Sequence, residues 1–424
     1  MEHALIRSDS AFLRGGWLFS LLCVVTFFAT IITGQNVFYN DWLIFWLEAV
    51  FVGSFAVWRI CRGGAMQIFT VKSVGFWLII LWFCSITLSL ICSPYGLMME
   101  WFAVQRYFQS LFHVFFFLCL YGFFSVYKGS VMPVFISLAA SVCILAFGFV
   151  GAWFALENPL GPDSKQWFRH PPFNAHIRIT GFLVAAGSVA LAPIFTEKIK
   201  SKFKRVILGL IGFAVWGLMF WCGGRGSILS AIFASIMIAV VLNVKKQLVG
   251  RYLITTAIFI LGGIILAELF AVFYWNGIFH ATERTIAAGG DPYQLTTGRI
   301  KLCNCVVETL GKNKAWLLGL GSQGYCFMPN RTFGFQPHNL IFQFLAEWGM
   351  VGTLLFLSGI GYGFFVGVKA HLFPSSGKMT IPVLAALGMI LSLGLHSLVD
   401  GIFYHAQPSM HLAIAFSIWM VARK

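Results

Sequence analysis

Several apolar runs in this chain reach roughly the 20 residues that a helix needs to cross about 30 Å of hydrocarbon, and that length decides the fold class. Inside a bilayer only helices or closed barrels satisfy every backbone N–H and C=O. Barrel strands would alternate polar and apolar residues, and these runs do not. The expected fold is therefore an all-α integral membrane protein. With 59% hydrophobic and 10% charged residues over 424 positions, an ordinary soluble domain is excluded.

Helices are expected at about 17 to 33, 42 to 60, 74 to 92, 108 to 126, 131 to 156 and 179 to 195. The second half gives about 205 to 222, 226 to 243, 252 to 274, 349 to 368, 380 to 398 and 408 to 421. The twelve form one polytopic membrane domain over residues 1–424, with a large hydrophilic loop at 275–337 inserted between two spans. Arg7 and Arg14 precede a run that continues to about Thr33 without a small-residue cleavage site, so the first run reads as a transmembrane helix rather than a signal peptide.

A formal charge of +15 would suggest nucleic acid in a soluble protein. In a membrane protein the charge is first compared with topology. With both termini in the cytoplasm, 18 of the 29 basic residues face inward, and Lys198 to Arg205 is the strongest anchor. No nucleic-acid partner is expected. The eleven outward basic residues are not explained by that bias, and seven are arginines: Arg106, Arg169, Arg178, Arg225, Arg284, Arg299 and Arg331. Several stand at predicted helix ends, where a guanidinium suits phosphate recognition at the membrane surface.

Arg106 begins a predicted helix in which Gln109 and His113 follow at i+3 and i+7, a polar stripe on one face. Such a stripe needs either a wet or protein-lined cavity or a helix–helix hydrogen-bond set. Residues 157–177 carry Pro159, Pro162, Pro171 and Pro172, too many for a continuous helix. Trp167 and Phe168 beside Arg169 suit interfacial anchoring, with a substrate-gripping lid as the alternative. Cys222-Gly223-Gly224-Arg225-Gly226-Ser227 joins two apolar runs as a tight hairpin, whose glycines let the backbone approach a ligand and whose Ser227 is a candidate helix cap.

In the large loop, Thr296 or Thr297 is the expected cap of an amphipathic helix from about Gly298 to Leu310, with Ile300, Cys303, Val306, Val307 and Leu310 as its apolar stripe. Arg299 lies in its first turn, beside amide donors that attract anions. Leu317 to Gly324 reads as a turn, and Pro337 starts a new helix. Cys222, Cys303, Cys305 and Cys326 fall outward, where a disulfide is chemically allowed but spacing assigns none.

Arg225, Arg299 and His338 are the main candidates for chemistry. Arginine keeps its charge and offers a planar fork of donors to phosphate oxygens. Histidine can take a proton from an attacking hydroxyl near neutral pH. Together they suggest group transfer with a phosphate-type leaving group, and no Walker-type loop points to nucleotide hydrolysis. Blander readings stand beside this one. His338 after Pro337 is a satisfied structural residue, Arg299 pairs with Glu283 or Glu308, and Glu347 orients neighbouring helices. His396 and Asp400, at i and i+4, suit a metal on one helix face, but spacing fixes no third ligand, and no metal or other cofactor is expected.

The order of Gly224-Arg225-Gly226-Ser227, Thr297-Gly298-Arg299, Leu318-Gly319-Leu320-Gly321, Pro337-His338-Asn339 and Glu347-Trp348-Gly349-Met350-Val351-Gly352 resembles the O-antigen ligase and O-antigen polymerase superfamily of bacterial envelope glycosyltransferases. The motifs cover about Gly223 to Gly352, and the helix count with one large periplasmic loop extends the likeness. The resemblance implies a multi-pass inner-membrane enzyme that moves a glycan from undecaprenyl diphosphate to a sugar hydroxyl of lipid A-core at the periplasmic face. It implies Arg225 and Arg299 as diphosphate contacts and His338 as the residue that activates the acceptor. Arg178, in Arg178-Ile179-Thr180-Gly181, resembles a further family arginine. Arg106 and Arg169 are secondary candidates for substrate contact. The implied chemistry is inverting and independent of metal and ATP. The His-bearing motif and compact loop look closest to the ligase branch. Polymerase is the alternative within the same chemistry, and a lipid-linked glycan flippase or exporter is the alternative outside it, predicting a charged path through both halves of the membrane.

Overall fold

The computed structural model describes residues 15–31, 37–62, 73–95, 100–127, 129–155, 177–197, 199–271, 276–328, 336–373 and 379–421. Among these the ordered elements are helices, with no strand. Each of the twelve expected apolar runs has its helix. They are α1 (Gly16–Ile31), α2 (Val37–Cys61), α3 (Val74–Ile91), α4 (Glu100–Val126), α5 (Met132–Ala155), α6 (Ile177–Thr196), α7 (Lys202–Trp221), α8 (Arg225–Val244) and α9 (Val249–Leu269). Three short helices follow: α10 (Ile278–Ala287), α11 (Pro292–Leu295) and α12 (Arg299–Lys312). The bundle is completed by α13 (Leu340–His371), α14 (Ile381–Ser397) and α15 (Ala406–Met420). Among the described residues, eight helices are long and apolar enough to cross a bilayer. Helices α1 and α14 and the stretch Gly181–Thr196 of α6 are apolar but shorter, and α15 has 15 residues.

Local chemistry sets several ends. Ser73 and Ser201 cap α3 and α7 by accepting from the amides of Phe76 and Lys204. Asn339 caps α13 by accepting from Ile341 and Phe342. Helix α9 packs on α7, α14 lies between α6 and α8, α3 runs against α13, and α15 against α4. One apolar core joins most of the bundle, with Trp58, Trp216 and Trp419 fully enclosed.

The long α13 is two helices. Gly349 breaks it at φ 65° and ψ −170°, a conformation essentially restricted to glycine. The break orphans backbone groups on both sides, and the chain at 316–321 supplies their partners. Leu320 and Gly321 amides donate to the carbonyls of Ala346 and Glu347, and Met350 and Val351 amides donate to Trp316 and Leu317. Gly319 and Gly349 lie back to back. A Cβ on either would stand 2.4 Å from the other's amide nitrogen. Two of the recognised motifs are thus one interlocking backbone joint.

Several local expectations are corrected. Arg106 lies inside α4, which starts at Glu100 rather than near residue 108. Gly224, not Ser227, occupies the cap of α8, and the Ser227 hydroxyl donates back to the Gly224 carbonyl. Gly298 caps α12, in place of Thr296 or Thr297. The buried face of α12 is Leu302, Cys305, Val306, Thr309 and Leu310, whereas Val307 is exposed. Its orientation follows from packing on Leu320, Tyr325, Met328 and Ala346, a small core separate from the bundle. Among the described residues no two cysteines are joined.

Candidate active site

The helices bring three separated segments together at one end of the bundle. Asn339 ends the approach to α13, Arg299 opens α12, and residues 398–405 link α14 to α15. Their meeting point is Asp400. His338 Nδ1 donates to Asp400 Oδ1 at 2.6 Å, and Arg299 Nη2 donates to Oδ2 at 3.2 Å. The Gly401 amide also donates to Oδ1. The Asp400 side chain is one-tenth exposed, whereas those of His338 and Arg299 are 29% and 23% exposed. A buried carboxylate therefore holds a histidine and an arginine whose outer atoms reach the surface.

Burial by itself would raise the Asp400 pKa. The hydrogen bond from His338 and the charges of Arg299, His338 and His396 outweigh it and hold the carboxyl well below the usual carboxylate range. An ionised Asp400 can only accept, so His338 Nδ1 carries a proton, and in the neutral ring Nε2 is then the acceptor. His338 is left-handed, at φ 53°. For a non-glycine residue this costs on the order of 1–3 kcal/mol and is retained only where the surroundings enforce it.

The glycine-rich hairpin joins this centre from the other side. Gly223, at φ 61°, makes the turn, and Arg225 is the first residue of α8. Arg225 Nη1 donates to Thr285 Oγ1 at 3.4 Å, while Arg284 Nη2 donates to the Gly223 carbonyl at 2.7 Å. Helix α10 therefore lies across the hairpin. Its own start is fixed by Glu268, which accepts from the Ile278 amide at 2.6 Å. Gly226 faces His396 and Val399 so closely that a Cβ would stand 3.2 Å from the imidazole and 2.7 Å from the valine. Gly181 faces Ser227, with a Cβ position 3.3 Å from Oγ. The Arg178–Gly181 motif, the hairpin and the α14–α15 link are thus successive neighbours.

Arg299 and His338 are directly linked through Asp400. The backbone next to Arg225 lies against His396 through Gly226, while the Arg225 guanidinium itself bonds to Thr285. Arg178 lies in the first turn of α6, with its side chain outside the described residues, and Arg169 and the proline-rich loop also lie outside them. Arg106 is 3% exposed. Its Nε stands 3.8 Å from Glu347 Oε2, and its Nη2 donates to the Phe403 carbonyl. It ties α4 to the broken helix and to the residues following Asp400, rather than standing at a helix end. With Trp82, His113, Phe344, Trp348 and Phe403 it lines a cavity of about 170 Å³, mostly apolar, beside the site. Of the stripe on α4, Arg106 and His113 line this cavity and each also bonds to another element, His113 Nδ1 to Glu48 at 2.8 Å, whereas Gln109 is buried outside it.

Sequence reasoning noticed Asp400 only as a metal ligand paired with His396. Asp400 lies just past the end of α14 at Ser397, and its carboxylate turns to His338 and Arg299. Arg299 pairs with Asp400 and not with Glu283 or Glu308. Its partner lies 101 residues away, a separation at which spacing carries no signal.

Residues 207–357 match the family model described as O-antigen ligase. The match includes Arg225, Arg299 and His338 and stops short of Asp400. No curated protein matches the chain.

Proposed function

We propose that this protein is a membrane glycosyltransferase of the O-antigen ligase type, moving a glycan from undecaprenyl diphosphate to a sugar hydroxyl of lipid A-core. The observation that carries the reading is the Arg299–Asp400–His338 arrangement, a buried carboxylate orienting both a proton acceptor and an anion-binding fork. The O-antigen ligase match over the region bearing all three main candidates supports it.

In this mechanism His338 Nε2 accepts the proton of the acceptor hydroxyl while that oxygen attacks the anomeric carbon of the donor sugar. The bond from that carbon to the phosphate oxygen breaks, and its electron pair leaves with polyprenyl diphosphate. Attack opposite the leaving group inverts the anomeric centre. Asp400 stabilises the imidazolium, which later returns its proton to solvent. Arg225 and the donors of Arg299 not used by Asp400 receive the developing charge, and Arg178 is a further diphosphate contact. The glycosyl–phosphate bond that breaks supplies the driving force, so the scheme uses neither ATP nor a metal. In this scheme the mostly apolar cavity lined by Arg106 and Phe403 receives part of the lipid chain. Arg106 itself is not assigned a substrate contact, because its guanidinium is committed to Glu347 and Phe403. The scheme places the site on the periplasmic face of the inner membrane, with the loop at 275–337 over it and both termini in the cytoplasm.

Purified protein incubated with undecaprenyl-diphosphate glycan and lipid A-core tests the reading. A ligated product supports it, and unchanged yield in a chelator supports metal independence. Chain extension identifies a polymerase instead, and movement across the bilayer without a new bond identifies transport.

A further inference from the structure

The turn that carries His338 is attached to the α14–α15 link at three points. The His338–Asp400 bond is the middle one. On one side Asn339 Nδ2 donates to the Leu398 carbonyl at 2.6 Å, while its Oδ1 caps α13. On the other side Gln336 Nε2 donates to His405 Nε2 at 3.2 Å. Gln336 and His405 are each about 6% exposed, set behind Asp400. The backbone between them is tightly fitted, because a Cβ on Gly401 would stand 1.8 Å from Gln336 Oε1.

Neither buried side chain belongs to the surface that a sugar or diphosphate reaches, so neither has a part in the chemistry described above. Their geometry gives them a different one. A left-handed histidine relaxes toward an ordinary backbone basin unless both flanks are held. Asn339 holds only the flank that leads into α13. Pro337 has no N–H and cannot tie down the other flank by a backbone donor. Gln336 is the side chain that does so.

We propose that Gln336 and His405 are positioning residues for His338, their buried hydrogen bond clipping the turn to the far side of Asp400 and keeping His338 Nδ1 on the carboxylate. This rests on the reading of His338 as proton acceptor. His405 is surrounded by Gln336, Asp400, His338, Arg106 and the ring of Phe182. Burial pushes its pKa down to about 4, with Asp400 opposing, so at neutral pH its Nε2 is a lone-pair acceptor for the glutamine amide.

The test uses full-length Gln336→Met, His405→Phe, the double variant and the conservative His405→Gln, with two readouts. In glycan transfer each single variant is expected to lower kcat about tenfold to a hundredfold, the scale of a misplaced catalytic group, with donor KM within about twofold because Arg225 and Arg299 are untouched. The double variant should lose no more than either single one, and His405→Gln should recover most of the rate. Independently, deuterium uptake of peptides covering residues 336–343 should rise in the singles and equally in the double. Wild-type kcat with unchanged uptake in Gln336→Met overturns the proposal, as do additive losses. If His338→Ala transfers glycan normally, the catalytic reading fails and uptake alone decides. Faster exchange keeps the clip as a holder of this turn, and unchanged exchange removes it.

Discussion

Asp400→Asn is the substitution with the sharpest expected outcome. The two side chains have nearly the same shape, so packing behind the site is preserved, but the negative charge shared by His338 and Arg299 is lost. The replacement amide offers one oxygen and one NH2 group where the carboxylate accepted at both oxygens. If the oxygen stays on His338, the NH2 group confronts the Arg299 guanidinium; if it stays on Arg299, the amide donates to His338 and moves its proton to the catalytic nitrogen. Charge-assisted bonds contribute about 1.5–3 kcal/mol each. Losing proper orientation of the proton acceptor removes a contribution of about 10²–10⁴ in rate. We expect kcat for glycan transfer by protein reconstituted in liposomes to fall within that range, with donor KM changed less. Folding is checked by size-exclusion profile and melting temperature. A folded Asp400→Asn protein with kcat within about threefold of wild type would show that Asp400 does not orient the reaction, and the mechanism would lose its central residue.

Four other outcomes follow from the geometry. Arg225→Lys keeps the charge but not the planar fork, and should cost most of the roughly 10²–10³ in kcat expected for a lost anion donor; wild-type turnover would argue against a forked phosphate contact. Arg106→Met leaves Glu347 enclosed without its countercharge and should destabilise the fold by about 3–5 kcal/mol, with Arg106→Met/Glu347→Gln recovering most of it in thermal melts. Gly349→Ala requires a Cβ 2.4 Å from the Leu317 carbonyl oxygen at a glycine-only conformation, so it should collapse the yield of folded protein in detergent, whereas Gly359→Ala, which meets nothing within 4 Å, should not. His405, held near 4 by burial, binds its proton more weakly in the folded chain than in the unfolded one, whose value is about 6.5. Its stabilising effect is complete above that unfolded value and is lost as pH falls toward 4, by up to about 3 kcal/mol. The Asp400 contribution persists through this window, because its carboxyl titrates below the usual range. The melting temperature of wild type should therefore drop between pH 6.5 and 4 more than that of His405→Phe.

Sequence alone brought out the all-helical fold class and a helix for each apolar run, though not where α4 begins, because a long apolar run has one way to satisfy its backbone in hydrocarbon. It also brought out Arg225, Arg299 and His338, since arginines beside glycine-rich turns and a neutral-pH base are conspicuous in so apolar a chain. It located the Leu-Gly-Leu-Gly and Glu-Trp-Gly-Met motifs, yet gave no hint that the glycines at 319 and 349 interlock. The face that α12 buries was beyond it too. Ile300, Cys303, Val306, Val307 and Leu310 satisfy helical period as well as Leu302, Val306 and Leu310 do, and only the neighbours Leu320, Tyr325 and Ala346 choose between them. The decisive pairings were tertiary for the same reason. Asp400 joins His338 over 62 residues and Arg299 over 101. Periodicity reports what one element buries, whereas a hydrogen bond between elements exists only once packing has brought their ends together.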